Sequence, residues 1–241
     1  ALIFTAYKLR IRSIRRQENQ KREIMSRISD LETKALQAQM NPHFIFNSMS
    51  SIQNFVIDND VDEALTFMGH FSKVIRMTLD NVDNKAIPLQ DELDYLEHYT
   101  ELEKMRFDDS FEFILRVDEK LDVYNTYIPP MLLQPIIENC IKHAFPDRSF
   151  KGIIKLNIET KDAHSYRCTI EDNGIGRVAA EQNKSRQNLG RTSKGMKITN
   201  DRIRMLNEED MEKYKLEVTD LVDEEGNAIG TRVVIVLPLG L

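Results

Sequence analysis

The chain has 241 residues, a formal net charge of −6 and an apolar content of 41%, with two cysteines and no tryptophan. That is enough for one large domain or two smaller ones with a real core, and it excludes a disordered tail, a collagen-like repeat and a disulfide scaffold. Cys140 and Cys168 lie far apart in apolar contexts, with no CxxC or Cys/His spacing, so a zinc site is not expected and a reducing compartment is the default.

Charge is unevenly divided. Residues 1–22 hold seven Lys/Arg against Glu18, a local balance of +6, which leaves −12 on the remainder. An acidic body argues against an extended nucleic-acid face, and no direct nucleic-acid contact is expected. The opening ALIFTAY, apolar and followed at once by basic residues, has the pattern of the cytoplasmic end of a membrane helix, although it is far shorter than the ~20 residues that span a bilayer. Residues 1–12 are therefore expected to be a membrane-helix end or linker stub. The chain would then sit at the cytoplasmic face of a bacterial cell membrane, attached through a segment N-terminal to it.

From Ile24 the apolar positions Ile24, Ile28, Leu31, Ala35 and Ala38 alternate steps of four and three, a short heptad seam. Residues 13–40 are expected to form a coiled-coil signalling helix. Asn41-Pro42 interrupts it, with asparagine as cap and proline at the first helical position of a restarted or kinked helix. The seam resumes at Ile45, Met49, Ile52 and Val56. After the polar turn DNDVD, a second amphipathic helix puts Leu65, Met68, Phe71, Ile75, Leu79 and Val82 on one face. A hairpin of two such helices buries little alone, so segment 41–84 predicts a homodimer closed as a four-helix bundle.

From residue 85 the character changes. DELDYLEHYTELEKMRF reads as a charged amphipathic helix, and FEFILRVD alternates as a half-buried strand. Pro129-Pro130 precedes an apolar helix, MLLQPIIENCIKHAF. Strands follow at 152–160 and 165–172, with Tyr166, Cys168 and Ile170 on one face. The polar RVAAEQNKSRQNLGRTSK leads into a helix near 195–207, and strands near 215–222 and 230–238 join through EEGN. Helices gathered on one face of these strands give an α/β sandwich with a mixed sheet over 85–241, so the whole chain is α+β in class.

Three segments of that second half bear on chemistry. In IIENCIKHAF, Glu138, Asn139, Lys142 and His143 fall on the polar side of an apolar helix, where an amide oxygen can ligate Mg²⁺ and a lysine and a histidine can meet phosphate oxygens. In EDNGIGR, Asp172 ends a strand and can accept from an exocyclic amino group such as adenine's, while Gly174 and Gly176 admit close backbone approach. In SKGMKITNDRIR, Gly195 opens a helix behind a basic segment with Lys184, Arg186, Arg191 and Lys194, the composition of a lid over phosphates. Each has an ordinary reading alone: a solvated helix face, a turn, a loop. None is a Walker loop or a dinucleotide fingerprint.

Together, in order and spacing, IIENCIKHAF, EDNGIG, KGMKITNDRIRML and GTRVVIVLPL resemble the asparagine box, glycine boxes and final strand of GHKL-type ATPases (the Bergerat fold). QMNPHFIFNSMSSIQ resembles the phosphoacceptor segment of LytS-type sensor histidine kinases. The resemblance implies a catalytic domain that binds ATP and Mg²⁺. It makes His43 the phosphorylated histidine, Asn139 the metal ligand and Asp172 the reader of the adenine amino group. Gly174, Gly176, Gly195, Lys194 and Met196 would frame the nucleotide and lid. Lys142 and His143 would lie near phosphates, and Thr231 near the adenine. Two positions depart from common family patterns. Ser193 stands where the second glycine box usually starts with glycine, and Phe44 stands where many histidine kinases carry an acidic base. Asn47, one turn from His43, is then the group placed to orient the imidazole, and Glu138 is a candidate base.

A neutral imidazole near pH 7 carries a lone pair that can attack a γ-phosphate without strong activation, so such catalysis rests on in-line positioning and on charge neutralisation by Mg²⁺. The implied partner is a response regulator, of LytTR type, whose aspartate receives the phosphate. Two other classes share these motifs: a nucleotide-binding scaffold that does not phosphorylate itself, and an ATP-driven conformational machine of the same fold.

Overall fold

The computed structural model describes residues 10–12, 14–15, 42–58, 60–81, 83–145, 150–177, 203 and 214–240, with the backbone alone at 42 and 43. The seam at 24–38, the lid segment and nearly all of the helix expected at 195–207 lie outside the described residues, as do Ser193, Lys194, Gly195 and Met196. The chain divides into two compact units, Ala1–Asn54 and Phe55–Leu241.

Helix α1, Pro42–Ile57, opens on the expected proline. The Ser50 and Ser51 hydroxyls donate to the carbonyls of Phe46 and Asn47 one turn back, at 3.0 and 3.1 Å, which spares them unpaired polar groups inside the helix. Phe46 and Met49 remain exposed.

Within the larger unit, helix α2 spans Val61–Asn81. The Asp60 carboxylate caps it by accepting from the Glu63 N–H at 3.2 Å, and Asp62 and Glu63 put negative charge at its N-terminus. Ala64, Phe67 and Val74 are its buried side, Phe67 tilted against Phe55 at 5.8 Å between ring centroids. The face read from sequence lies roughly a quarter-turn round the helix from this side: Leu65, Met68 and Leu79 are exposed and Phe71 and Ile75 half-buried, and Val61, not foreseen, extends the exposed row. α2 packs on helix α3, Leu89–Arg106. Where they touch, His70 and His98 bring their Nδ1 atoms to 3.1 Å with the rings edge to face. α3 buries Leu89, Leu93, Leu96 and Leu102, and with them two carboxylates, Glu92 and Glu103.

The sheet has five strands: β2 (Phe111–Val117), β4 (Gly152–Asp162), β5 (Ser165–Asp172), β6 (Lys215–Val222) and β7 (Ala228–Pro238), in the order β2-β4-β5-β7-β6. β2 runs parallel to β4 and the other pairs are antiparallel, so the sheet is mixed, as expected. Tyr166, Cys168, Ile170 and Asp172 alternate as the buried side of β5, and Ile154, Leu156 and Ile158 do the same in β4. Two short strands not foreseen, β1 (Ile87–Pro88) and β3 (Tyr127–Ile128), pair antiparallel beside the start of α3.

The helix expected across 131–145 is shorter. Regular helix α4 covers only Gln134–Asn139, and Cys140–Ala144 continues as a π-helical turn. Residues 131–133 are not helical because Met131 adopts a left-handed conformation, φ 54°, and the N–H groups of Met131 and Leu133 are taken by the Glu92 carboxylate.

Burial, Lys73 and the neighbouring His70 hold the His98 imidazole below its ordinary value, against the opposing pull of Asp94 and Glu97. The fold thus favours neutral His98. Its contribution is present above the unfolded-state value of ~6.5 and is lost as pH falls through the lower folded value. Thermal melts at pH 7.5 and 5.5 should show the wild type losing more stability on acidification than His98→Gln.

Candidate functional site

Asp172 ends β5 and is buried, 7% exposed. Its Oδ1 accepts from the Gly174 N–H at 2.9 Å and from the Thr231 N–H at 3.3 Å, and the buried Cys140 thiol also donates to its carboxylate. Burial raises the carboxyl above the usual carboxylate range, while these three donors pull it back. Burial likewise pushes the Cys140 thiol well up, helped by the negative charge of Asp172. The thiol therefore stays protonated and serves as a donor.

The donors come from three places in the chain. Gly174 follows the strand directly. Thr231 reaches Asp172 because β5 and β7 pair in the register Asp172↔Thr231. Cys140 opens the π-helical turn. That turn also meets the DNGIG loop at backbone level: the Ile175 N–H donates to the Ala144 carbonyl at 3.1 Å, and a Cβ on Gly174 would lie 2.4 Å from the Ala144 Cβ. The segments IIENCIKHAF and EDNGIG are thus one packed unit.

Asn139 is the last residue of α4. Its amide Nδ2 is buried without a hydrogen-bond partner. A buried unpaired amide is costly unless something outside the chain completes it. An amide beside the Asp172 cluster and its glycines therefore fits a ligand with polar oxygens, and its carbonyl oxygen suits a hard divalent cation. Glu138 and Lys142, one helical turn apart, form a close ion pair. His143 is half-buried in the π-helical turn. Because this turn closes i→i+5 bonds, Lys142 and His143 are displaced from the places that α-helical spacing from Asn139 would give them. Among the described residues no group of three His, Cys, Asp or Glu is arranged to hold a metal by itself.

Reading the sequence missed three contributors. Gly230 has φ +146°, and a Cβ there would stand 1.9 Å from the Asp172 carbonyl oxygen. The only signal was its place ahead of Thr231 in GTRVVIVLPL. Glu103 is buried with Oε1 accepting from Arg106 at 2.8 Å and Oε2 unpartnered; burial pushes its carboxyl up to about 7, in the field of Arg106, Lys142 and Glu138. Glu92, with two main-chain donors, is the third. His43 lies in the first turn of α1, with its side chain outside the described residues, and half-buried Asn47 is one turn on. A groove of about 490 Å³ opens on the other face of the sheet between Lys161, Arg167, Lys215 and Arg232. Its charges are partly spent in the Arg232–Glu171 and Arg167–Glu159 pairs, and Asp172 points away from it. No helix among the described residues is long and apolar enough to cross a membrane.

Gly230→Ala should cost at least about 3 kcal/mol in urea denaturation, because backbone strain and steric overlap act together. Gly226→Ala is the control: φ is +84° but nothing lies within 4 Å of the added Cβ, so about 1 kcal/mol is expected.

The family model "Histidine kinase" matches residues 31–111, a span that includes His43. The sensor protein LytS of Bacillus subtilis is 35% identical over 155 residues, 64% of this chain and 26% of that protein. The sensor protein kinase HptS of Staphylococcus aureus is 32% identical over 163 residues, 68% of this chain and 30% of its own length. The chain thus spans a quarter to a third of these relatives. A histidine kinase domain from a blue-light activated kinase of Erythrobacter litoralis superimposes with a TM-score of 0.44 at 19% identity, covering 76% of this chain and 83% of that one. Over the matched segment and the aligned stretch, this chain is similar to the LytS-type sensor histidine kinases.

Proposed function

We propose that this chain phosphorylates His43 from Mg-ATP and passes the phosphate to an aspartate of a response regulator. The observation that carries the reading is the buried, unpartnered amide of Asn139 beside the Asp172 cluster. Asn139 would hold Mg²⁺. Asp172 would accept from the adenine amino group, with Gly174, Gly176 and Thr231 bringing backbone close to the nucleotide. When bound, Mg-ATP supplies an electrophilic γ-phosphorus whose developing charge the metal offsets.

This chain's part is placement and proton transfer. Lys142 and His143 face the phosphates with Lys194, Gly195 and Met196 of the lid. Asn47 orients the His43 imidazole, one nitrogen of which attacks phosphorus as the bond to the ADP oxygen breaks. The proton lost from the other nitrogen passes to a base, for which Glu138 is the candidate once Lys142 turns to phosphate. The phosphoimidazole then serves as donor to the regulator's aspartate, on a regulator of LytTR type.

The exposed row Val61, Leu65, Met68 and Leu79 on α2 supports pairing of two copies as a four-helix bundle over 41–84, since such a row loses surface to water only against a partner. The catalytic domain is assigned to 85–241, the signalling helix to 13–40, and 1–12 to a link with a membrane segment that holds the protein at the cytoplasmic face.

Incubation with γ-labelled ATP and Mg²⁺ should give acid-labile, base-stable label in the wild type and none in His43→Ala or Asn139→Ala. Unlabelled wild type that binds nucleotide would mean a scaffold, and hydrolysis untouched by His43→Ala would mean a conformational machine. Leu65→Glu with Met68→Glu should shift the dimer to monomer in sedimentation while leaving Mg-nucleotide affinity within about twofold.

A further inference from the structure

The buried carboxylate of Glu92 lies outside every motif discussed above, yet it is bonded to the segment that delivers Asn139. It sits on α3, 1% exposed, with Oε2 accepting from the Met131 N–H at 2.7 Å and Oε1 from the Leu133 N–H at 3.1 Å. Bonds of this kind, from main-chain N–H to an ionised acceptor away from water, are among the stronger ones available to a protein. Both donors lie immediately before α4, whose N-cap residue Leu133 offers no side-chain cap. The main-chain N–H groups of the approach to α4 and of its N-cap are therefore satisfied from another helix, 39 and 41 residues away in sequence.

Two features make the contact decisive for where α4 lies. The helix has six residues, too few to be stable without outside support. Its approach runs through Met131 at φ 54°, a conformation that a side chain bearing a Cβ adopts at a cost and that glycine adopts freely. Without the carboxylate, Met131 gains by returning to an extended conformation, and that rotation swings the short helix that follows. Asn139 is at the far end of that helix.

We propose that Glu92 is a positioning residue for the nucleotide site: by holding the left-handed turn at Met131 it fixes where α4 presents the Asn139 amide. This rests on the reading of Asn139 as the nucleotide-facing ligand. It also makes α3, which packs on α2, the element that sets the geometry of the site. A carboxylate that merely filled the core would affect stability and leave the position of Asn139 untouched.

The test uses the whole chain with Glu92→Gln, Glu92→Asp and the double variant Glu92→Gln/Met131→Gly. Its readouts are affinity for a fluorescent ATP analogue with Mg²⁺ and the Asn139 side-chain amide resonances of nucleotide-free protein. Glu92→Gln should shift those resonances and weaken the analogue about tenfold. Glu92→Asp, charged but one methylene short, should fall between it and wild type. The double variant should recover most of the lost affinity, because glycine keeps the left-handed turn without the carboxylate. Folded Glu92→Gln with unmoved resonances, or a double variant no better than the single, would overturn the proposal. Wild type that fails to bind the analogue would overturn the nucleotide reading instead, and the resonances would still judge Glu92.

Discussion

A carboxylate withdrawn from water must find donors, and at Asp172 that requirement ties the second half of the chain together. Its three donors belong to the loop after β5, to β7 and to the turn after α4. Each is positioned by something larger than itself: strand register for Thr231, a missing side chain for Gly174, the π-helical turn for Cys140. Losing any one donor leaves a buried charge less satisfied, so sheet, loop and helix are held to one mutual arrangement. An adenine amino group would find there an acceptor whose direction is already set.

The second constraint is the weakness of α4. A helix of six residues ending in a π-helical turn cannot place a side chain by its own rigidity. It is gripped from α3, whose two buried carboxylates lie eleven residues apart, three helical turns along one face. Glu92 holds the entry to α4. Glu103, tied to Arg106, stands within the electrostatic reach of Lys142 and Glu138 near its end. The short helix that carries Asn139 is thus held from outside rather than by its own length.

Much of this was legible from residue patterns. Alternation gave β5 and the side it buries, because a sheet with one covered face leaves that mark on sequence. The spacing of the apolar residues in α2 showed a face, most of which the structure leaves exposed, while the buried Ala64, Phe67 and Val74 lie beside it on the helix. Asp172, Gly174 and Asn139 could be singled out in the sequence because few residue types offer a buried acceptor, close backbone approach or an amide oxygen at such positions. Glu92 and Glu103 were not: in DELDYLEHYTELEKMR they look like any acidic residues on a solvated helix, and only tertiary packing withdraws them from water. The length of α4 was misread for a related reason. Met131 has no turn-forming composition, and its left-handed conformation comes from a partner on another helix. Gly230 was passed over because the constraint on it is a carbonyl belonging to residue 172.

Strand order has a further consequence for how such a chain comes off the ribosome. β7 is the last described strand to be synthesised, yet it lies inside the sheet, between β5 and β6. Until it emerges, β5 has an open edge and the Asp172 carboxylate lacks its Thr231 donor. The nascent chain therefore passes through an interval in which the unpaired edge of β5 is available to neighbours, the circumstance that favours misassembly and calls for chaperones. A premature stop shortly before residue 228 would remove one strand from the sequence and two pairings from the sheet, splitting β6 from the rest.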